Sequence, residues 1–136
     1  MTMPASGNRL KHSMQDDIKL RRETGAEFLP KFDDKGLITA VVQDAGSKDI
    51  LMLAHMNVEA LEKTQATGIA HFYSRSRAQL WMKGETSGNT LSVQQILVDC
   101  DQDALILLCD PAGPACHTGA VSCFYRALDG DFLTRI

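Results

Sequence analysis

The segment Asp99-Cys100-Asp101-Gln102-Asp103 closes a predicted strand and offers two kinds of metal donor. In an extended chain side chains alternate, so Asp99, Asp101 and Asp103 share one face and Cys100 points to the other. Carboxylate oxygens are hard ligands suited to Mg²⁺, whereas a thiolate is soft and suits zinc. The plainer arrangement is a solvated acidic turn with Cys100 filling the core, and for the aspartates by themselves it is the simpler reading.

Cys116 and Cys123 flank HTGAVS, where Thr118 and Gly119 allow the chain to reverse and aim both thiols at one ion. The gap of six residues is wider than in a usual zinc knuckle, so spacing alone carries a moderate signal. His117 is open to three readings: a fourth ligand, a base for metal-activated water, or a cap on a turn. Three protein ligands and an open position describe catalytic zinc, and four closed ligands describe structural zinc. Cys109, inside the apolar run ALILLC, reads as core.

In SRSR, Arg75 and Arg77 stand two residues apart and share a face if extended, where guanidinium forks can grip a phosphate. Lys83 adds a cation, and Gly84, Ser87 and Gly88 make a loop with little bulk that lets backbone N–H groups approach an anion. Trp81 suits either a nucleobase or the core, the core being the commoner fate.

Positioning these groups requires a scaffold. The first 30 or so residues are polar and aperiodic, so a flexible N-terminal arm over 1–30 is expected, with a short helix near Asp16 to Arg22. A single domain follows over 31–136. Leu37 to Asp44 and Ile50 to Met56 read as a hairpin whose turn centres on Gly46 and Ser47. Asn57 then caps an amphipathic helix carrying Ala60, Leu61 and Thr64, which Gly68 stops. Further strands are expected over Ile69 to Tyr73, Leu91 to Asp99, Ala104 to Asp110 and Val121 to Leu128, with LWMKGETSGN as loop. This is an α+β fold, mainly antiparallel β with one or two short helices. Sheets this short often finish burying themselves against a second copy, so a homodimer is expected.

At 136 residues the chain has room for one hydrophobic core and not for two. A formal charge of -3 excludes a protein whose main task is to coat nucleic acid, since phosphate neutralisation needs excess Lys and Arg. The sequence shows neither an apolar h-region nor a run long enough to span a bilayer, which points to a cytoplasmic protein with no membrane partner. Four cysteines in a reducing compartment are ligands, catalytic groups or core rather than disulfides, and without a CxxC pair a redox role is weak.

Taken in order, MLAHMN, HFYSRSRAQLW, KGETSGN, DCDQD, CH and SCFY resemble the phosphoribosyl-AMP cyclohydrolases of histidine biosynthesis, over about Phe32 to Tyr125. The resemblance implies hydrolytic opening of the adenine ring of 1-(5-phosphoribosyl)-AMP between N1 and C6 by zinc-activated water. It implies Cys100, Cys116 and Cys123 as zinc ligands shared across an intertwined homodimer, and Asp99, Asp101 and Asp103 as Mg²⁺ ligands. His117 is similar in position to the family's general base. Arg75, Arg77, Trp81, Lys83, Gly84 and Ser87 are then expected to bind the small nucleotide substrate, and the cations to offset an anionic thiolate site.

Two positions depart from the common pattern: His55 stands where the family often has Tyr, and Thr39 where Pro often follows Leu-Ile. Some members carry a fused pyrophosphohydrolase domain, but this chain stops soon after Tyr125, so that activity is expected from a separate polypeptide. The competing reading is an RNA-binding module with closed Cys₃His zinc that uses Arg75, Arg77, Lys83 and Trp81.

Overall fold

The computed structural model describes residues 6–136, with side chains from Met14 onward. The expectation of a flexible arm lies, for its first five residues, outside the described residues. The short helix foreseen near Asp16 is the last part of a longer one, α1 (Ser6–Thr24). It carries Arg21 and Arg22 in its final turn, where positive charge opposes the negative end of the helix dipole.

The fold is α+β with mostly antiparallel pairing. β1 (Ile38–Asp44) and β2 (Ile50–Met56) form the expected hairpin. Its turn is held by Asp44, whose Oδ1 accepts from the N–H groups of Gly46 at 2.8 Å and Ser47 at 3.1 Å. α2 (Val58–Thr67) begins where Asn57 Oδ1 accepts from Ala60 N–H at 2.9 Å. It ends at Gly68, whose φ of 74° suits a residue without Cβ. Thr64, fully buried, donates to Ala60 O at 2.8 Å and accepts from His71 N–H at 2.9 Å, so its hydroxyl is satisfied while it ties the helix to the next strand.

β3 (His71–Ser74) and β4 (Gln79–Met82) pair as a second, two-stranded sheet. The expectation of loop from Leu80 onward is corrected for Leu80 to Met82, which are strand because Phe72 and Trp81 face each other across the hairpin with ring centroids 5.2 Å apart. SRSR is expected to interrupt the extended segment, and Arg75 to Ala78 form the turn of this hairpin, so the shared face that an extended SRSR would give Arg75 and Arg77 does not apply.

β5 (Leu91–Val98) and β6 (Ala104–Pro111) complete the main sheet in the order β2-β1-β6-β5. Within it β1 and β6 run parallel, and the other neighbours are antiparallel. Ile38, Ala40 and Val42 of β1 point inward with Leu105 and Leu107 of β6, against Leu51, Met56, Leu61 and Phe72. Burying a side chain such as Phe72 stabilises the fold by roughly 1.5–3 kcal/mol.

The last expected strand, Val121 to Leu128, is corrected. Residues 121–125 are irregular, and the chain ends in a separate hairpin of β7 (Arg126–Asp129) and β8 (Phe132–Arg135). Tyr125 anchors its base, with the guanidinium groups of Arg126 and Arg135 over its ring at 5.1 and 5.2 Å.

Candidate functional site

A cleft of about 950 Å³ opens between the end of β2, the β3–β4 hairpin and the 83–87 loop. Arg75, Arg77, Trp81, Lys83, Gly84 and Ser87 all line it, together with His117. Arg75 and Arg77 reach it from the hairpin turn, where Arg77 N–H donates to Ser74 Oγ at 3.2 Å. Trp81 divides itself between the two roles considered for it: one part of the ring packs on Phe72, another borders the cleft.

Gly84 has φ of 84°, and a Cβ there would lie 2.4 Å from the Asn89 carbonyl carbon, so only glycine lets these two backbone segments touch. The tight crossing fixes the loop that carries Lys83 and Ser87, with Gly88 N–H donating to Gly84 O at 2.8 Å.

Beside this cleft lies a thiol pair. Cys116 is buried and Cys123 exposed. The turn between them is closed by Gly119 N–H donating to Cys116 O at 3.0 Å, and Thr118 Oγ1 donates to Cys116 Sγ at 3.0 Å. Hydrogen bonds from the Thr118 side chain and backbone, helped by Cys123 and Lys83, hold the Cys116 thiol below its ordinary range. Burial and the neighbouring Cys116 push Cys123 up, and Lys83 opposes this. Lys83 thus lines the cleft while its charge acts on both thiols. Cys109 is unlike either: burial, then Asp110 and Asp44, push it up to about 12, and it is core.

The β5–β6 turn gathers the carboxylates. Asp99, Asp101 and Asp103 bring their ligand atoms within 4.8 Å of one another, and they are the one such group of three among the described residues. The pleat of an extended strand does not do this, as the alternation argument supposed. A turn does, with Gln102 at φ 58° and Asp99 Oδ1 accepting from the N–H groups of Asp103 at 2.9 Å and Ala104 at 3.2 Å. Asp101 and Asp99 push Asp103 up to about 6. Carboxylates this crowded suit a divalent cation, which relieves their repulsion.

Cys100 stands apart from the other two thiols. It is exposed and lines a different cavity, of about 560 Å³, with Arg22, Phe28, Gln65, Ile96 and Asp99. Within one chain the three cysteines do not form a single cluster.

Residues 52–125 match the family model for phosphoribosyl-AMP cyclohydrolase. The chain belongs to the phosphoribosyl-AMP cyclohydrolase family. It is 67% identical over 108 residues to the phosphoribosyl-AMP cyclohydrolase of Erythrobacter litoralis, covering 79% of this chain and 86% of that protein. It is 60% identical over 111 residues to that of Sphingopyxis alaskensis, covering 82% and 88%, and 62% identical over 114 residues to that of Brucella anthropi, covering 82% and 81%. Membership makes the chain a metal-dependent hydrolase of histidine biosynthesis and removes the RNA-binding alternative. No helix among the described residues is long and apolar enough to cross a membrane.

Sequence reasoning missed Lys35, His55 and Tyr73, which also border the cleft. Only His55 carried a signal, as a departure from the family pattern.

Proposed function

We propose that this chain opens the adenine ring of 1-(5-phosphoribosyl)-AMP hydrolytically between N1 and C6, giving the formimino-aminoimidazole carboxamide ribotide in the cytoplasm. The observation that carries this reading is the cleft itself, where two imidazoles, an indole and four cationic side chains line one space beside a thiol pair. Guanidinium groups of Arg75 and Arg77 suit the substrate's phosphates, and Trp81 offers a ring for the base to stack on. The low-bulk loop at Gly84 and Ser87 admits backbone N–H groups to an anion.

Cys116 and Cys123 fit a soft cation, because hydrogen bonds hold one thiol below its ordinary range and the other lies in hydrogen-bond contact with it. The separation of Cys100 from this pair supports a third ligand drawn from Cys100 of the partner subunit, in an intertwined homodimer. Zinc held there lowers the pKa of water. Asp99, Asp101 and Asp103 fit Mg²⁺ by their hard oxygens and mutual crowding.

His117 takes a proton from the attacking water, whose oxygen becomes the carboxamide oxygen as the C6–N1 bond breaks and N1 is protonated. Lys83 offsets the negative charge of the thiolates and so keeps the site able to favour hydroxide over water. The test is an ultraviolet assay with phosphoribosyl-AMP on chelator-stripped protein, resupplied with zinc, with magnesium, and with both. Restored turnover is expected; no turnover under any condition overturns the proposal.

A further inference from the structure

Three basic side chains line the cleft wall, and the reaction above uses only one of them, Arg75. Lys35 comes from the turn before β1, His55 from β2 and Arg75 from the β3–β4 turn, and all three line the same cleft. Among the described residues none of their side chains makes a hydrogen bond or an ion pair. The Lys35 turn is rigid: Asp33 Oδ1 accepts from the N–H groups of Lys35 and Leu37, each at 2.9 Å, and Gly36 N–H donates to Asp33 O at 2.9 Å. His55 is fixed by pairing with Thr39 on the neighbouring strand.

We propose that Lys35, His55 and Arg75 form one phosphate subsite of the cleft. The proposal rests on reading the cleft as a nucleotide site, and it adds two residues that the reaction does not name. Three donors from three separate elements line one space, and the one carboxylate that acts on Lys35 and His55, Asp33, is already engaged by the N–H groups of Lys35 and Leu37, so a phosphate entering the cleft gains attraction from all three. A substrate with two phosphate groups needs two such anchors. The charge of Lys83 already acts on the thiols, which leaves Arg77 and the loop N–H groups for the second.

His55 also makes binding sensitive to protons. In the free protein burial, and then Arg75, hold the imidazole below its ordinary range, while Asp33 pulls the other way. Arg75 and Asp33 act on it directly; the other charged and titratable groups that line the cleft with it are Lys35, Tyr73, Arg77, Lys83, Glu85 and His117, and its β1 neighbour Thr39 is uncharged. A phosphate dianion between His55 and Arg75 reverses the balance and favours the imidazolium. The site therefore binds a proton along with the phosphate, and affinity falls as pH rises through the titration of His55 in the complex.

The experiment uses the metal-loaded protein and two probes that each carry one phosphate, AMP and ribose 5-phosphate. Binding is followed by calorimetry at neutral pH in buffers of different ionisation enthalpy. Lys35→Gln and His55→Gln should each weaken one of the two probes by about tenfold, as expected for loss of one charge-assisted contact. His55→Gln should also lower the number of protons taken up, whereas Lys35→Gln should not. Adenosine, without phosphate, should bind wild type and variants alike. Lys35 is exposed, so its variant should fold whatever happens to the strand variant.

Unchanged affinity for both probes in both variants overturns the subsite, as does equal loss of adenosine binding. Turnover of phosphoribosyl-AMP by the wild type is measured alongside. Turnover with insensitive variants removes the subsite and leaves the reaction; sensitive variants without turnover do the reverse.

Discussion

The Thr118 hydroxyl donates to Cys116 Sγ at 3.0 Å, two residues along a turn that also brings Cys123 into contact with the same sulfur. A donor aimed at a sulfur favours its thiolate, so in metal-free protein Cys116 should ionise before Cys123. Thr118→Val keeps the shape and removes the donor. Its Cys116 should be alkylated several-fold more slowly at neutral pH, with the rate profile moved to higher pH. Site-resolved iodoacetamide labelling checks this, and superimposable profiles would show that the hydroxyl does not set the thiol's acidity.

The acidic turn predicts a pH-dependent response to magnesium. Asp103, raised to about 6 by Asp101 and Asp99, keeps a proton in the folded state that the unfolded chain has already released between about pH 4 and 6. For this group stability is greater at low pH and is lost as pH rises through its folded value. Asp99 moves the other way: against a desolvation that pushes it up, hydrogen bonds from the Asp103 side chain and from the Ala104 and Asp103 backbone hold it down. A cation that takes the place of the Asp103 proton should raise the melting temperature more at pH 7.5 than at pH 5. Equal increments at the two pH values would place the cation elsewhere.

His117 is exposed, so its removal separates chemistry from folding. His117→Ala should lower kcat by about 10²- to 10⁴-fold, the range for loss of a general base. Its melting temperature should stay close to wild type, as for most surface substitutions. Steady-state kinetics with thermal denaturation decides; a large drop in melting temperature would mean that the imidazole is structural.

Gln102 joins the acidic turn to the segment after α1. Its Oε1 accepts from Leu29 N–H at 2.7 Å, and its Nε2 donates to the carbonyls of Arg22 at 2.8 Å and Glu27 at 3.1 Å. The side chain is 6% exposed, so removing it strands backbone groups that water reaches poorly. Gln102→Ala should destabilise by roughly 1–3 kcal/mol and speed amide exchange over residues 22–31. Gln102→Gly should do the same to exchange despite relieving the φ of 58°, since the clamp is equally lost.

Some of this architecture was legible because it is local. Asn57 and Gly68 bracket α2 as capping chemistry requires, and β1, β2, β5 and β6 follow from short apolar runs bounded by turn residues. The DCDQD segment announced a candidate cation site by composition, although the gathering of its carboxylates depends on a positive φ at Gln102 that composition does not disclose. β4 was hidden because its stability comes from Trp81 meeting Phe72 across the hairpin, which no window on LWMKGETSGN contains. The terminal hairpin was misplaced for a related reason: the run from Val121 to Leu128 reads as one strand, but pairing begins only at Arg126, opposite Arg135, which lies beyond that run.

By itself the sequence determined the family, the elements up to their caps, and which side chains are chemically able to bind cations or phosphate, because these depend on residue type and on neighbours a few positions away. Only the tertiary structure decided that Lys35 and His55 join Arg75 in one cleft, that the charge of Lys83 acts on the thiols, and that Cys100 lines another cavity. Those relations cross from turn to strand to loop, and they are set by how the two sheets and α2 pack, where distance along the chain no longer measures distance in space.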